Sequence, residues 1–357
     1  MKTITAVAAL TACLAGGGCQ GADPETIVIA DSSSSVRTST RPAEHDASDD
    51  LNPRVLRRFA PLTVDENETP SDLVSLGRML YYEPRLSRTG SLSCNGCHPL
   101  DRYGVTDTAF STGVGGQLGS RNAPSTYHAA GHFTQFWDGR SSTIEEQVAE
   151  PIQNPVEMGM NPAEVVAGLE AIEGYQVAFK RAFPEASRPI TLGNVGKAIG
   201  AFERGLVTPA RWDRYLAGDR SALTSSEKEG AKLFANLGCL VCHTGPYVGG
   251  SMFEKVGTSK PWPTQRDRGR RQVTGNVADD MVFKVASLRN VAKTAPYFHD
   301  GSAPTLEAAI RVMAQHQLGV ELDNGEVRDL AAWLGSLTGD LPTDYIAKPT
   351  LPPGPAH

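Results

Sequence analysis

Two five-residue segments constrain this chain more than anything else in it. Cys94-Asn95-Gly96-Cys97-His98 and Cys239-Leu240-Val241-Cys242-His243 both read C-x-x-C-H. That pattern is the attachment signature of c-type haem. Two thiols form thioethers with the vinyl groups, and the adjacent histidine faces the iron. A thioredoxin-like redox pair would not need the trailing histidine, and zinc would need further Cys or His at finger spacing. Cys94, Cys97, Cys239 and Cys242 are therefore read as anchors of two covalent haems, with His98 and His243 as proximal iron ligands. The remaining Cys13 and Cys19 fall in a leader, so none is left for a disulfide framework.

The motifs sit inside an internal repeat. Gly77-Arg78-Met79-Leu80-Tyr81 precedes the first, and Gly230-Ala231-Lys232-Leu233-Phe234 precedes the second. Helix signals surround them. Ser71-Asp72 opens a run with Leu73, Leu76 and Leu80 that Pro84 stops, and Asn161-Pro162 opens a long amphipathic stretch to Phe183. Thr224 and Glu227 have the spacing of a capping box. Further helices start at Pro304, running through Ile310 and Met313, and at Asp323, running through Leu330 and Leu334. Alternating strands are scarce. The expected fold is mainly α, with two cytochrome c-type haem domains in tandem, over residues 53–212 and 213–340.

The ends read differently. Residues 1–19 combine Lys2, an apolar run from Ile4 to Ala15 and small residues before Cys19, as a secretory signal does. A cysteine after small residues also matches a lipoprotein cleavage site. Cys19 fits the expected length better and Cys13 the expected residue types. The chain is thus read as periplasmic, with a lipid anchor as a further expectation. Residues 20–52 are polar and serine-rich, the composition of a linker. Residues 341–357 are proline-rich and read as an extended wrap or a loose end. The net charge of −6 lacks the basic footprint of a nucleic-acid binder.

What each haem does depends on its sixth iron ligand, since a thioether suits electron transfer and an open position admits peroxide or oxygen. Met252, Met281 and Met313 are the downstream candidates for the second haem.

Other segments resemble the bacterial di-haem cytochrome c peroxidase family, which includes the MauG enzymes. They are Leu86-Ser87-Arg88, Gly119 to Ser125 (GSRNAPS), Gln135 to Arg140 (QFWDGR), Asn154 to Met158 (NPVEM), Phe283 to Asn290 (FKVASLRN) and Thr294 to Gly301 (TAPYFHDG). The resemblance runs from about Pro53 to Gly339, with Ala286 where the family commonly has proline. It implies that the first haem is peroxidatic, with Glu157 as distal acid–base and Gln147 and Pro151 lining the same pocket. It implies that Trp137 lies between the haems and that Met313 ligates the second, electron-transfer haem. It further implies calcium between the domains, held by Asn122, Thr294 and Pro296. The activity it implies is reduction of hydrogen peroxide with electrons from a small cytochrome c or cupredoxin, by a chain that can pair as a homodimer. Oxidation of a protein side chain, as in MauG, is the alternative, and a passive electron-transfer cytochrome is a third.

Family members activated by reduction carry a blocking histidine about sixteen residues after the proximal one. Val114 stands there, and no histidine occurs between His98 and His128. The resemblance with this departure implies a peroxidatic iron that is open at rest. Arg266 to Arg271 (RDRGRR) is locally basic, suited to haem carboxylates, an acidic partner or plain solvation.

Overall fold

The computed structural model describes residues 50–64 and 71–354. The leader with Cys13 and Cys19, and the linker up to residue 49, lie outside the described residues. The helices are α1 (Pro53–Leu56), α2 (Asp72–Tyr81), α3 (Cys94–Cys97), α4 (Ile144–Gln153), α5 (Pro162–Glu170) and α6 (Glu173–Ala182). They continue with α7 (Leu192–Arg204), α8 (Arg211–Leu216), α9 (Ser225–Asn236), α10 (Arg271–Thr274), α11 (Leu306–Met313) and α12 (Asn324–Gly335). The strands β1 (Phe253–Lys255) and β2 (Val282–Lys284) pair antiparallel, with Phe253 opposite Lys284. The fold is helix-rich with little sheet.

Local capping chemistry sets several helix starts. Ser71 Oγ accepts from the Val74 amide at 3.2 Å to open α2. Thr224 and Glu227 form a reciprocal capping box on α9, and Asp323 and Glu326 form one on α12. The stretch expected as one long helix from Asn161 is two, α5 and α6. Ile172 interrupts it in extended conformation and is buried, which lets Val165, Leu169, Tyr175 and Phe179 all reach one core. Sequence signals were weak for α4, which contains Pro151, and for α7, which contains three glycines.

There are two main hydrophobic cores. One gathers buried residues from Leu76 to Leu206, with Tyr81, Tyr175, Ile199 and Phe202 among them. The other gathers Trp212, Phe234, Leu330, Trp333 and Leu337. The repeat explains itself here. Gly77 lets α2 cross α7 so closely that a Cβ would overlap the Ala198 carbonyl, and Gly230 lets α9 cross α12 against the Asp329 carbonyl. In each half a glycine-pivoted helix pair delivers the chain to C-x-x-C-H.

Both ends depart from the expected boundaries. Leu51, placed in the linker by composition, is 3% exposed in the second core, and Asp50 pairs with Lys228 at 3.2 Å. Val55, Leu56 and Phe59 also pack on the second core, although chain position suggested the first half. The Leu62 amide donates to Asp213 at 2.7 Å and the Gly245 amide to the Arg58 carbonyl at 2.8 Å, which hold this segment there. The C-terminal stretch makes the opposite crossing. Ile346 is buried in the first core, Tyr345 Oη donates to the Phe202 carbonyl at 2.7 Å, and Arg85 donates to the Pro352 carbonyl at 2.9 Å. It is a wrap, not a loose end.

Candidate functional site

A cavity of about 1840 Å3 runs through the molecule, and both C-x-x-C-H motifs line it. Pockets for drug-sized ligands are roughly 300–1,000 Å3, so this one has room for more than one large group. The two histidines are held alike. His98 Nδ1 lies 3.1 Å from the Gly104 carbonyl, and His243 Nδ1 lies 3.1 Å from the Val248 carbonyl. A backbone acceptor at Nδ1 leaves Nε2 as the atom for metal, the usual support of a ligating imidazole. Burial lowers both rings' pKa, with the carbonyl contacts opposing, so the unprotonated ligand form is favoured.

The thiols complete the fit. Burial pushes Cys94 and Cys239 up to about 12, and Cys97 and Cys242 are raised as well. A thioredoxin-like nucleophile needs the opposite, a thiol lowered toward neutrality. Among the described residues no three His, Cys, Asp or Glu side chains cluster as a metal site would require, which leaves zinc without its ligand set. Four unpaired thiols and two carbonyl-anchored histidines around one large cavity suit covalently held haem.

The other expected residues line the same cavity. Glu157, Gln147, Pro151 and Trp137 line the cavity, as do Asn122, Thr294 and Pro296. Glu157 is half-buried, and Asn154 Nδ2 donates to its Oε1 at 2.8 Å. Burial raises its carboxyl pKa, while the Asn154 hydrogen bond and Arg140 pull it back. Pro151 has no N–H to donate within α4, and its carbonyl accepts from the Met158 amide at 3.1 Å. That bond ties the Glu157 segment to the end of α4, beside Gln147.

The loop after the first motif braces Glu157 from the other side. Gly113 packs so tightly that a Cβ would overlap the Val156 carbonyl, and the Val114 amide donates to the Glu157 carbonyl at 2.8 Å. Val114 is buried and is not among the cavity-lining residues, whereas Gly113 is. His128 is committed elsewhere, with Nε2 3.0 Å from Thr208 Oγ1, and it does not line the cavity. His132 does line it, with its ring packed against Gly250 and Tyr247.

Trp137 joins the halves. Its Nε1–H donates to the Asn122 carbonyl at 2.9 Å, and its own carbonyl accepts from the Lys284 amide at 2.7 Å. Of the three methionine candidates only Met313 lines the cavity. It ends α11, and a π-helical turn over Ala314–Leu318 follows at once, a local register change common at functional sites. Met281 is buried in a small core with Trp262 and Phe283, against which Met313 packs, and does not itself line the cavity. The basic stretch is largely neutralised within the fold. Arg268 and Arg271 share Asp280, Asp267 pairs with Arg121, and Arg270 covers the Phe253 ring. Sequence reasoning quoted Lys284 and Arg121 only within the segments that carry the resemblance and gave them no role, since their surroundings are assembled by folding.

Comparison with known proteins points to one family. A family profile described as di-haem cytochrome c peroxidase matches residues 71–221. The cytochrome c551 peroxidase of Nitrosomonas europaea is 43% identical over 79% of this chain and 84% of its own. The cytochrome c551 peroxidase of Pseudomonas aeruginosa is 40% identical over 85% and 90%. Among solved structures, a MauG-like protein associated with microbial copper homeostasis superposes with a TM-score of 0.71 at 31% identity, covering 81% of this chain and 96% of that one.

Proposed function

Because the chain belongs to the di-haem cytochrome c peroxidase family, we propose that it reduces hydrogen peroxide to water with electrons from a small cytochrome c or cupredoxin. The overall reaction is H2O2 + 2 e− + 2 H+ → 2 H2O. The observation that carries the reading is Glu157, held by Asn154 and the Gly113 loop on the wall that the first C-x-x-C-H motif shares. The two cores, each with one motif, support two haem domains in tandem. Cys94 and Cys97 would hold one haem with His98 as ligand, and Cys239 and Cys242 the other with His243 and Met313. When bound, these groups supply redox-active iron, at one site for peroxide and at the other for electrons from the donor.

The chain's own residues then do the proton work. Peroxide must lose a proton from one oxygen and gain one on the other, which leaves as water. The Glu157 carboxylate accepts the first and returns it to the second. Its raised pKa suits that double role better than an ordinary glutamate would. Gln147 and Pro151 line the same cavity. Trp137 bridges the halves, where an indole can relay electrons. Calcium at the junction would take oxygens from Asn122, Thr294 and Pro296, all cavity residues. The higher identity to cytochrome c551 peroxidases than to two relatives named MauG, which are 31% and 32% identical, supports peroxide reduction over side-chain oxidation. A retained acid–base at Glu157 speaks against a passive carrier. Export to the periplasm rests on the leader sequence. Among the described residues no helix is long and apolar enough to cross a membrane.

The fully oxidised protein should show one high-spin and one low-spin ferric signal by electron paramagnetic resonance, and should react with peroxide without prior reduction. The reason is that the loop at Val114 offers no ligand atom and is bonded to the Glu157 backbone. Two low-spin signals, with no reaction until one electron is added, would overturn this assignment and with it the open peroxidatic site. Separately, Met313→Ala should lower the midpoint potential of one haem and abolish its methionine–iron absorption band, since a thioether favours ferrous iron. An unchanged band would transfer the role to Met252 or Met281.

A further inference from the structure

Lys284 is a buried cation that the fold leaves without an anion. It ends β2 and is 9% exposed. Its Nζ donates to the Thr134 carbonyl at 3.0 Å and faces His132 Nδ1 at 3.5 Å. Among the described residues no carboxylate lies within ion-pair distance of it. Asp138, which acts on it through space, is itself gripped by Arg121 and Arg140. Burial lowers the pKa of His132 well below its usual value, and Lys284 adds to the effect, so that ring is a neutral acceptor and supplies no charge. An ammonium has three N–H donors. Two have partners here, and the third has none.

Burying an ion costs several kcal/mol unless it is paired and hydrogen-bonded. In the polypeptide alone that cost is large enough to bring Lys284 down to about 8. Lys284 and His132 both line the large cavity. The counter-charge must therefore come from what fills it. Haem has an apolar periphery except for two carboxylates, which are its anionic groups.

We propose that Lys284 anchors a haem carboxylate, forming a buried ion pair at the cavity corner where the β2 backbone meets Trp137. The Lys284 amide bond to the Trp137 carbonyl, 2.7 Å long, sets that corner. The Thr134 carbonyl and His132 Nδ1 hold the ammonium by two of its hydrogens and leave the third for the carboxylate. Lys284 is in this sense a positioning residue with an electrostatic effect. Its charge offsets that of the carboxylate and makes the attached iron easier to reduce. The proposal rests on the two-haem reading above.

The test uses the full holoprotein at pH 7, with haem content counted by intact mass in every sample. Lys284→Gln keeps a hydrogen-bond donor and removes the charge. One haem should then become about tenfold harder to reduce, a fall of 59 mV for a one-electron couple, with the other haem unmoved. The carboxylate bending mode in its resonance Raman spectrum should shift as well. Lys284→Arg keeps the charge and should restore most of the potential. Should Lys284→Gln not accumulate, Lys284→Met against Lys284→Arg gives the same comparison. Two haems with both potentials and bending modes unchanged would overturn the proposal, as would equal losses in the Gln and Arg variants. A wild-type protein carrying fewer than two haems would sink the underlying haem reading instead.

Discussion

Glu157→Gln is expected to keep both haems and to react with peroxide roughly 10²- to 10⁴-fold more slowly, the usual contribution of one positioned acid–base group. Glutamine preserves the shape of the side chain, so the hydrogen bond from Asn154 Nδ2 to the side-chain Oε1 and that from the Val114 amide to the main-chain carbonyl of residue 157 can persist. The loss then falls on proton transfer alone. The pH profile adds a second signature. Burial raises the carboxyl pKa of Glu157 in the folded protein, so the basic form needed to accept the first proton disappears at a higher pH than for an exposed glutamate. The rate of the peroxide reaction should therefore fall as pH drops through that raised value, and the acid limb should vanish in the glutamine variant. Stopped-flow mixing with peroxide across pH measures both. A glutamine variant reacting at the wild-type rate would remove Glu157 from the mechanism.

Asp213→Ala is expected to cost about 3–5 kcal/mol of stability, the range for breaking one side of a buried ion pair. Arg289 grips Asp213 with two bonds of 2.8 Å, and the two side chains are 0% and 7% exposed. The same carboxylate accepts from the Leu62 amide at 2.7 Å and from the Ala210 amide at 2.7 Å. Removal would strand a buried guanidinium and two amides together. It would also release the segment near Leu62 from the second core. Urea titration of the holoprotein, followed by far-ultraviolet circular dichroism, should show a much lower midpoint. A change below about 1 kcal/mol would mean that water or a rearranged partner satisfies Arg289, since solvent-accessible pairs are worth no more than that.

Much of this protein is written in short stretches. The C-x-x-C-H motifs point to covalent haem because the pattern sets two thiols and a histidine within one turn of chain. The caps at Ser71, Thr224 and Asp323 place helix starts because the bonds they make span only two or three residues. The paired glycines, Gly77 and Gly230, mark the helix crossings that carry the repeat, although the partners they meet lie about a hundred residues on, at Ala198 and Asp329. The backbone contacts of His98 and His243 follow the same rule, since each Nδ1 finds a main-chain carbonyl five or six residues away.

What depends on distant partners was not legible in the same way. Composition put Leu51 in a linker, and chain order put Phe59 with the first motif, yet both pack on the second core, while Ile346 crosses back to the first. Nothing near Met313, Met252 or Met281 in the chain separates them; only Met313 reaches the cavity, because the path of α11 carries it there. Lys284 reads as one charge within the Phe283 to Asn290 segment until Thr134, His132 and Trp137, all about 150 residues away, close around it. Local hydrogen bonds are decided by neighbours within a turn. Burial and charge pairing are decided by surfaces that meet after long loops close, and a sequence pattern with a period of a few residues carries no record of which surfaces those will be.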